Sequence, residues 1–354
     1  MKKLKQLTIQ LKPVGNNCNL GCVYCYAMPF RREKLKVLSK ELLEKIVKES
    51  FEVTDNLIIT WHGGEPTYAG LEYFKDYMEI LKKYQKEGQT VVNMIQTNAT
   101  LVNEEFAKFF KENDFIVSVS IDGNKETHDR NRYYANGKGS YDKVMQGVNN
   151  LRKYGIYPPV IATVSQNTYD DCEETFKSFI ENGFKEIKFS PVYDSSDDSF
   201  SISCDKWYLY LKKVFDIWCE LEDETIKVRE LDEILEWFTG NTINTCSSTN
   251  TCVNWISINE DGEVYPCEYL RASEGYGNIQ DMHISKVFES DAYKRFVKKV
   301  MYVPEKCKKC QFYSMCGNGC PATRVKNGNL VYDGYYVYCE QRKKLYADFA
   351  QVLE

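Results

Sequence analysis

The sequence predicts an α/β protein: an open partial (β/α)6 barrel of TIM-like construction, followed by a small cysteine-rich domain. Three observations predict it. From residue 7 to about 225, stretches with strand-like alternation take turns with stretches of helical periodicity. That pattern ends after six units, too early for a full eight-unit barrel. Beyond it the composition changes, and eight cysteines fall at 246, 252, 267, 307, 310, 316, 320 and 339.

Strands are expected at 7–12, 56–62, 90–96, 115–121, 159–164 and 186–191. Helices are expected at about 39–53, 70–87, 103–113, 140–154 and 169–182, with another at 205–222. The first strand alternates Leu7, Ile9 and Leu11. The first helix starts at a capping Ser39 and carries Leu42, Leu43, Ile46, Val47 and Phe51 on one face. Six β/α units in a row imply a parallel sheet with its helices outside. Function in such folds gathers where the strands end. Strand one ends at a cysteine loop, strand two at His62-Gly63-Gly64-Glu65-Pro66 and strand three at Gln96-Thr97-Asn98. Strand four ends at Ser120-Ile121-Asp122-Gly123, strand five near Thr163 and strand six at Ser190. Gly-Gly and Asp-Gly also make ordinary turns, but six polar endings together suggest one cavity of nucleotide size.

The 354 residues allow a large core plus one further domain. The expected division is a barrel over 1–225, a cysteine-rich domain with its linker over 226–345, and a helix end over 346–354. Hydrophobic content of 43% and charged content of 27% are ordinary for a soluble chain. A net charge of −5 gives no electrostatic reason to expect nucleic acid or an anionic membrane as partner. No apolar run approaches the roughly 20 residues of a membrane-spanning helix, and Met1-Lys2-Lys3-Leu4-Lys5 lacks a signal peptide's apolar core. The expected location is cytoplasmic. Fourteen cysteines there argue for metal rather than disulfides. Cys172, Cys204 and Cys219 stand alone and read as incidental thiols.

The cysteine loop after strand one is Cys18-Asn-Leu-Gly-Cys22-Val-Tyr24-Cys25. Three thiolates so close can hold three corners of a 4Fe–4S cube and leave the fourth iron open for chemistry. A zinc loop short of one ligand is the bland alternative. With Tyr24 before the third cysteine, the motif resembles that of the radical S-adenosylmethionine (SAM) enzymes, in which the open iron is chelated by SAM. The resemblance extends to Gly63–Pro66, the family's Gly-Gly-Glu-Pro motif. It implies that Gly63 and Gly64 let the backbone approach the ligand and that Glu65 accepts from the SAM ammonium. It further implies that Ser120 and Asp122 touch ribose or carboxylate, that Arg132 forks onto the carboxylate, and that Tyr24 packs beside cluster and adenine.

The spacing Cys246-x5-Cys252, Cys267, Cys307-x2-Cys310-x5-Cys316-x3-Cys320 and Cys339 resembles the SPASM extension of radical SAM enzymes that modify peptides and proteins. Eight cysteines make two complete sets of four, for two auxiliary 4Fe–4S clusters or, alternatively, two zinc ions. The resemblance implies Cys246, Cys252, Cys267 and Cys320 for one cluster and Cys307, Cys310, Cys316 and Cys339 for the other. With all irons ligated, these clusters are expected to move electrons. Trp255 to Tyr265 alternates around Asp261-Gly262 and reads as a small hairpin between ligands.

Over Leu7 to about Cys339 the chain is similar to the anaerobic sulfatase-maturating enzymes, which oxidise a cysteine or serine to formylglycine. Shared stretches are Gly-Gly-Glu-Pro-Thr, Gln-Thr-Asn, the Asp-Gly pair and Gly277–Met282. Three departures stand out. His62 occupies the place of that family's Gln, and Glu268 occupies the place of the Asp proposed as its base. Gly319-Cys-Pro-Ala322 is more similar to maturases of ribosomally made peptides (RiPPs). The favoured expectation is therefore a RiPP-type maturase, with a sulfatase maturase as alternative and a non-catalytic iron–sulfur or zinc scaffold as a remote third.

The resemblance implies cleavage of SAM to a 5′-deoxyadenosyl radical, removal of a hydrogen from a substrate side-chain carbon, and loss of a proton to Glu268 and an electron to the auxiliary clusters. It implies as partners a peptide or protein substrate and a low-potential electron donor such as flavodoxin or ferredoxin. The first strand starts within about seven residues, so no N-terminal leader-binding domain is expected; a separate leader-binding protein is a further possible partner. The loop Asp194–Ser199 reads as a solvated linker or a substrate-facing rim.

Overall fold

The computed structural model describes residues 3–192, 198–241, 243, 245–270, 275–326, 329–331 and 333–353. Strand alternation decides the architecture. In β1 (Leu7–Leu11) the side chains of Leu7, Ile9 and Leu11 are fully buried among apolar neighbours, whereas Thr8 and Gln10 face a central cavity. The same two faces recur in β2 (Asn56–Trp61), β3 (Thr90–Thr97), β4 (Ile116–Ser120), β5 (Val160–Val164) and β6 (Glu186–Pro191). Leu57, Ile59, Trp61, Ile95, Val117 and Val119 join the core, while Thr60, Gln96, Ser118, Ser120, Thr163 and Lys188 line the cavity. These polar groups share the inner face with Ile58, Met94, Ile116 and Ile161, and the sheet encloses a chamber instead of a packed barrel core.

β1 to β6 are neighbours in chain order and pair in parallel, with Leu7 opposite Leu57 at the start. The helices α1 (Lys40–Val53), α2 (Leu71–Tyr84), α3 (Glu104–Glu112), α4 (Lys125–Asn131), α5 (Tyr141–Lys153), α6 (Cys172–Glu181) and α7 (Cys204–Leu221) lie between and after them in the chain. Ser39 caps α1, its Oγ accepting from Leu42 N at 3.2 Å. Trp61 packs edge-on against Phe74 and Tyr77 of α2 at 5.1 and 4.7 Å. Each such buried aromatic contributes about 1.5–3 kcal/mol of transfer free energy, which fixes strand two and hence the motif that follows it.

The sheet continues on both sides. β7 (Lys227–Val228) pairs in parallel with β6 and leads into α8 (Arg229–Phe238). The expected hairpin forms as β8 (Trp255–Ile258) and β9 (Glu263–Tyr265), antiparallel, with β10 (Gly277–Asn278) beyond. β8 also pairs in parallel with β1, Thr8 opposite Trp255. The order is β10-β9-β8-β1-β2-β3-β4-β5-β6-β7, so the barrel's sheet draws strands from both sides of residue 225. A small second sheet comprises β11 (Arg324–Lys326), β12 (Asn329–Leu330) and β13 (Tyr335–Tyr336). The C-terminal helix, Cys339–Leu353, packs on α7, with Phe215 and Phe349 stacked at 4.2 Å. No helix among the described residues is long and apolar enough to cross a membrane. In the loop read as a possible rim, residues 194–197 lie outside the described residues.

Candidate active site

Cys18, Cys22 and Cys25 come together in the loop that follows β1, and all three line the central cavity. Burial pushes the thiols of Cys18 and Cys22 up to about 11 and about 12. Hydrogen bonds reach the sulfurs: Leu20 N and Asn98 Nδ2 to Cys18 Sγ at 3.4 and 3.6 Å, and Arg31 Nη2 to Cys25 Sγ at 3.8 Å. Donors of this kind are one of the protein's levers on cluster potential.

The Gly-Gly-Glu-Pro turn is clamped to this loop. Gly64 N donates to Gly15 O at 2.8 Å and Glu65 N to Asn17 O at 2.9 Å. A Cβ on Gly64 would sit 1.8 Å from Asn17 O, so the glycine is demanded by the chain's own backbone before any ligand arrives. Glu65 is 1% exposed and already accepts four hydrogen bonds. Thr67 N, Thr67 Oγ1 and Thr97 Oγ1 donate to Oε1, and Asn98 N donates to Oε2 at 2.7 Å. Its carboxylate ties strands two and three together, a role the sequence does not announce.

Tyr24, Gly63, Gly64, Glu65, Ser120 and Arg132 line the cavity. Asp122 lies behind them as a bracket. Tyr24 Oη donates to Asp122 Oδ2 at 2.5 Å, Arg132 Nε pairs with the same oxygen at 3.0 Å, and Thr163 N donates to Oδ1 at 2.9 Å. The Arg132 guanidinium lies 5.5 Å from the Tyr24 ring centroid. Asp122 thus holds the arginine and the tyrosine at the wall, and its oxygens point away from the space a ligand would fill. Arg132 remains the group with outward donors that suit a carboxylate.

Glu268 follows the ligand candidate Cys267 directly, and its backbone N–H donates to Gln10 Oε1 at 3.1 Å. The side chain is fully buried between two nitrogen groups. Lys12 Nζ lies 2.8 Å from Oε1 and His62 Nδ1 lies 2.8 Å from Oε2. Burial, seconded by the nearby Glu268 charge, pushes the Tyr26 phenol well above its ordinary value. Burial pushes the Glu268 carboxyl up, but the Lys12 ammonium and the His62 contact outweigh it and hold the group well below the usual carboxylate range. The carboxylate is thus held by an ion pair at Oε1 and a hydrogen bond at Oε2. The network continues through His62 Nε2 to Gln96 Oε1 at 3.0 Å, and from Gln96 Nε2 to Ser120 Oγ at 3.4 Å. Lys12 and Tyr26 were not singled out from the sequence. The available sequence signal for Lys12 is its place directly after the apolar alternation Leu7, Ile9 and Leu11.

The eight C-terminal cysteines lie at two places in the fold. Cys246, Cys252, Cys267 and Cys320 line the central cavity, and burial pushes the Cys252 and Cys267 thiols up. Cys307, Cys310, Cys316 and Cys339 wall a separate pocket. Each set offers four thiols around a void. All-thiol sets ringing a space fit 4Fe–4S clusters.

Matching sequence models are those of the Radical SAM superfamily over residues 13–189 and of an iron–sulfur cluster-binding domain, SPASM, over residues 246–311. A cysteine-type anaerobic sulfatase-maturating enzyme of Clostridium novyi is 33% identical over 97% of this chain and 95% of its own length. A serine-type counterpart of Bacteroides thetaiotaomicron is 32% identical over 98% of this chain and 91% of its own. The solved structure of anSMEcpe with bound AdoMet and Cp18Cys peptide superposes with a TM-score of 0.86 at 31% identity, covering 99% of this chain and 98% of that one. Streptococcus suis SuiB bound to precursor peptide SuiA matches at 0.67 and 14% identity, over 94% of this chain and 75% of that one, which shows a shared fold alone. A SAM-type cysteine loop at the wall of a large chamber, two all-cysteine sets in the same fold and relatives that match from end to end lead to one assignment. The chain belongs to the radical SAM superfamily, within the SPASM-bearing family of the anaerobic sulfatase-maturating enzymes, and is an enzyme that uses SAM and 4Fe–4S clusters on a peptide or protein substrate.

Proposed function

We propose that the enzyme oxidises a cysteine or serine side chain of a sulfatase to formylglycine. This replaces the expectation of a RiPP-type maturase. Relatives about one-third identical over nearly the whole chain are sulfatase maturases of both types, whereas the likeness to SuiB extends only to the fold. Two of the three departures behind the RiPP reading also prove to be one, because His62 and Glu268 are in contact. In this reading a separate leader-binding protein has no role, and the external electron comes from a low-potential carrier such as flavodoxin or ferredoxin.

The observation that carries the proposal is the buried Glu268 carboxylate, fixed by Lys12 and His62 at the wall of a cavity of about 2150 Å³. Small-ligand sites occupy roughly 300–1,000 Å³, so this space suits SAM together with a peptide segment. Cys18, Cys22 and Cys25 would hold the first cluster, and Arg132 with the Gly63–Glu65 turn would hold SAM. When bound, this pair supplies the radical that removes one hydrogen atom from the substrate's β-carbon. Glu268 then takes the proton from the adjacent S–H or O–H. The unpaired electron on the adjacent carbon makes that proton more acidic than in the parent alcohol or thiol. The eight C-terminal cysteines would hold the clusters that supply an acceptor for the remaining electron. Serine thereby becomes the aldehyde directly; cysteine becomes C=S, which water converts to C=O with release of hydrogen sulfide.

The test is anaerobic turnover of sulfatase-type peptides carrying Cys or Ser, with the aldehyde captured by a hydrazide and located by mass spectrometry. Aldehyde at the target residue is expected. A crosslink, seen as loss of two hydrogens without a hydrazide-reactive group, would reject the reading.

A further inference from the structure

Between Cys316, in one set of four, and Cys320, in the other, the chain makes an unusual turn. Gly317, Asn318 and Gly319 all have left-handed backbones, with φ of 56°, 66° and 62°. Three such residues in a row swing their carbonyls to one side, and all three carbonyls meet Arg324. Arg324 Nε donates to Asn318 O at 3.0 Å, and Nη2 approaches Gly319 O at 3.0 Å and Gly317 O at 3.4 Å. The same Nη2 donates to Asn250 Oδ1 at 2.6 Å, and Nη1 donates to Val300 O at 2.8 Å. Asn250 lies between Cys246 and Cys252, is itself left-handed at φ 54°, and returns a bond from Nδ2 to Gly317 O at 3.0 Å. The guanidinium is 0% exposed. One buried cation therefore joins the Cys246–Cys252 loop to the loop shared by both sets. Its charge also acts on the thiols of Cys252, Cys320 and Cys307, which belong to both.

We propose that Arg324 is a positioning residue for both auxiliary clusters, whose buried charge raises the reduction potentials of the two together. The inference rests on the eight cysteines holding two clusters. A cluster gains one negative charge on reduction, and net charge around it is among the determinants of its potential. A fixed cation between the two sites favours the reduced state of each. That bias draws the substrate's second electron away from the active site and into the auxiliary pair.

The experiment is potentiometric titration of anaerobically reconstituted holoenzyme, followed by electron paramagnetic resonance, with iron counted in parallel. The SAM-binding cluster is recognised by its response to added SAM. Arg324→Gln removes the charge, and Arg324→Lys keeps it. In the Gln variant with its iron retained, both auxiliary potentials should fall. At a fixed poise the reduced-to-oxidised ratio should drop at least tenfold, equivalent to about 59 mV for one electron. The Lys variant should stay within twofold of wild type. Unchanged auxiliary potentials in an iron-replete Gln variant would overturn the proposal. Should the Gln variant fail to load iron, the Lys variant decides: full iron with wild-type potentials supports the charge, and lost iron or shifted potentials overturn it. A wild-type enzyme with no auxiliary signals would instead fail the cluster reading itself.

Discussion

His62 and Glu268 hydrogen-bond to each other across 206 residues of sequence, Nδ1 to Oε2 at 2.8 Å. Each departs from the pattern of the sulfatase maturases, Gln for the first and Asp for the second. The longer carboxylate is met by a ring that fixes it at one end and reaches Gln96 at the other. The two positions work as a unit, so they should be exchanged as one. Glu268→Gln is expected to lower substrate modification about 100-fold or more, the usual worth of a general base, while SAM cleavage continues. Glu268→Asp and His62→Gln should each reduce turnover, and the double variant should recover part of the loss. Coupling between touching residues is typically about 0.5–3 kcal/mol. Strictly additive losses in the rates of the four proteins would show that the contact does not matter to the chemistry.

Glu65 is expected to act as scaffold as well as ligand. Glu65→Ala removes the acceptor of four buried donors, two of them backbone N–H groups. An unsatisfied buried donor costs about 1–3 kcal/mol. The variant should therefore lose about 3 kcal/mol or more of stability by urea unfolding, together with SAM affinity by calorimetry. Wild-type stability with weakened SAM binding would mean that the carboxylate serves the ligand alone.

The partition of the eight cysteines can be counted. Reconstituted enzyme should carry about twelve irons, from three cubes of four. Replacing Cys307, Cys310, Cys316 and Cys339 by Ala should leave about eight, because these four wall one pocket by themselves. A Cys18/Cys22/Cys25→Ala variant should also keep about eight and lose SAM cleavage. Two zincs with about four irons in the wild type would remove the auxiliary clusters and leave the first site standing.

What could be read from the sequence, and what could not, follows the range of the interactions. The six strands and their helices were legible to within a few residues because Leu7, Ile9 and Leu11, or Leu43, Ile46 and Val47, repeat at periods that local backbone geometry imposes. α4 was missed because Lys125 to Asn131 carries no apolar stripe; the Asn124 cap and a buried His128 hold it. The hairpin around Asp261-Gly262 was visible, but its parallel pairing with β1, Thr8 to Trp255, depends on partners far apart in the chain. Likewise Cys267 marked Glu268 as close to a cluster, while nothing near Lys12 announced the carboxylate it would face.

His128 links acid to the integrity of the SAM wall. It is 0% exposed, and Asp122 N donates to its Nδ1 at 3.3 Å. Ser140 Oγ, 3.0 Å from Nε2, donates its own proton to Arg132 O, so it must accept from Nε2–H. The ring is therefore a neutral tautomer with both nitrogens used, and a second proton would confront the Asp122 N–H. Burial, seconded by the nearby Arg132 charge, holds its pKa well below the ordinary value. A histidine depressed in the folded state adds stability above its unfolded pKa of about 6.5 and loses it as pH falls, because only the unfolded chain takes the proton. Below about pH 6.5 this one group should remove up to about 1.4 kcal/mol per pH unit, until its folded pKa is reached. His128→Asn retains an acceptor for Asp122 N and cannot titrate. Its unfolding free energy, measured anaerobically in urea from pH 7.5 to 5.5, should start lower than wild type and fall less steeply below pH 6.5. Parallel curves for the two proteins across that range would show that His128 is protonated in the folded enzyme, and the neutral bracket behind Asp122 and Arg132 would then have to be abandoned.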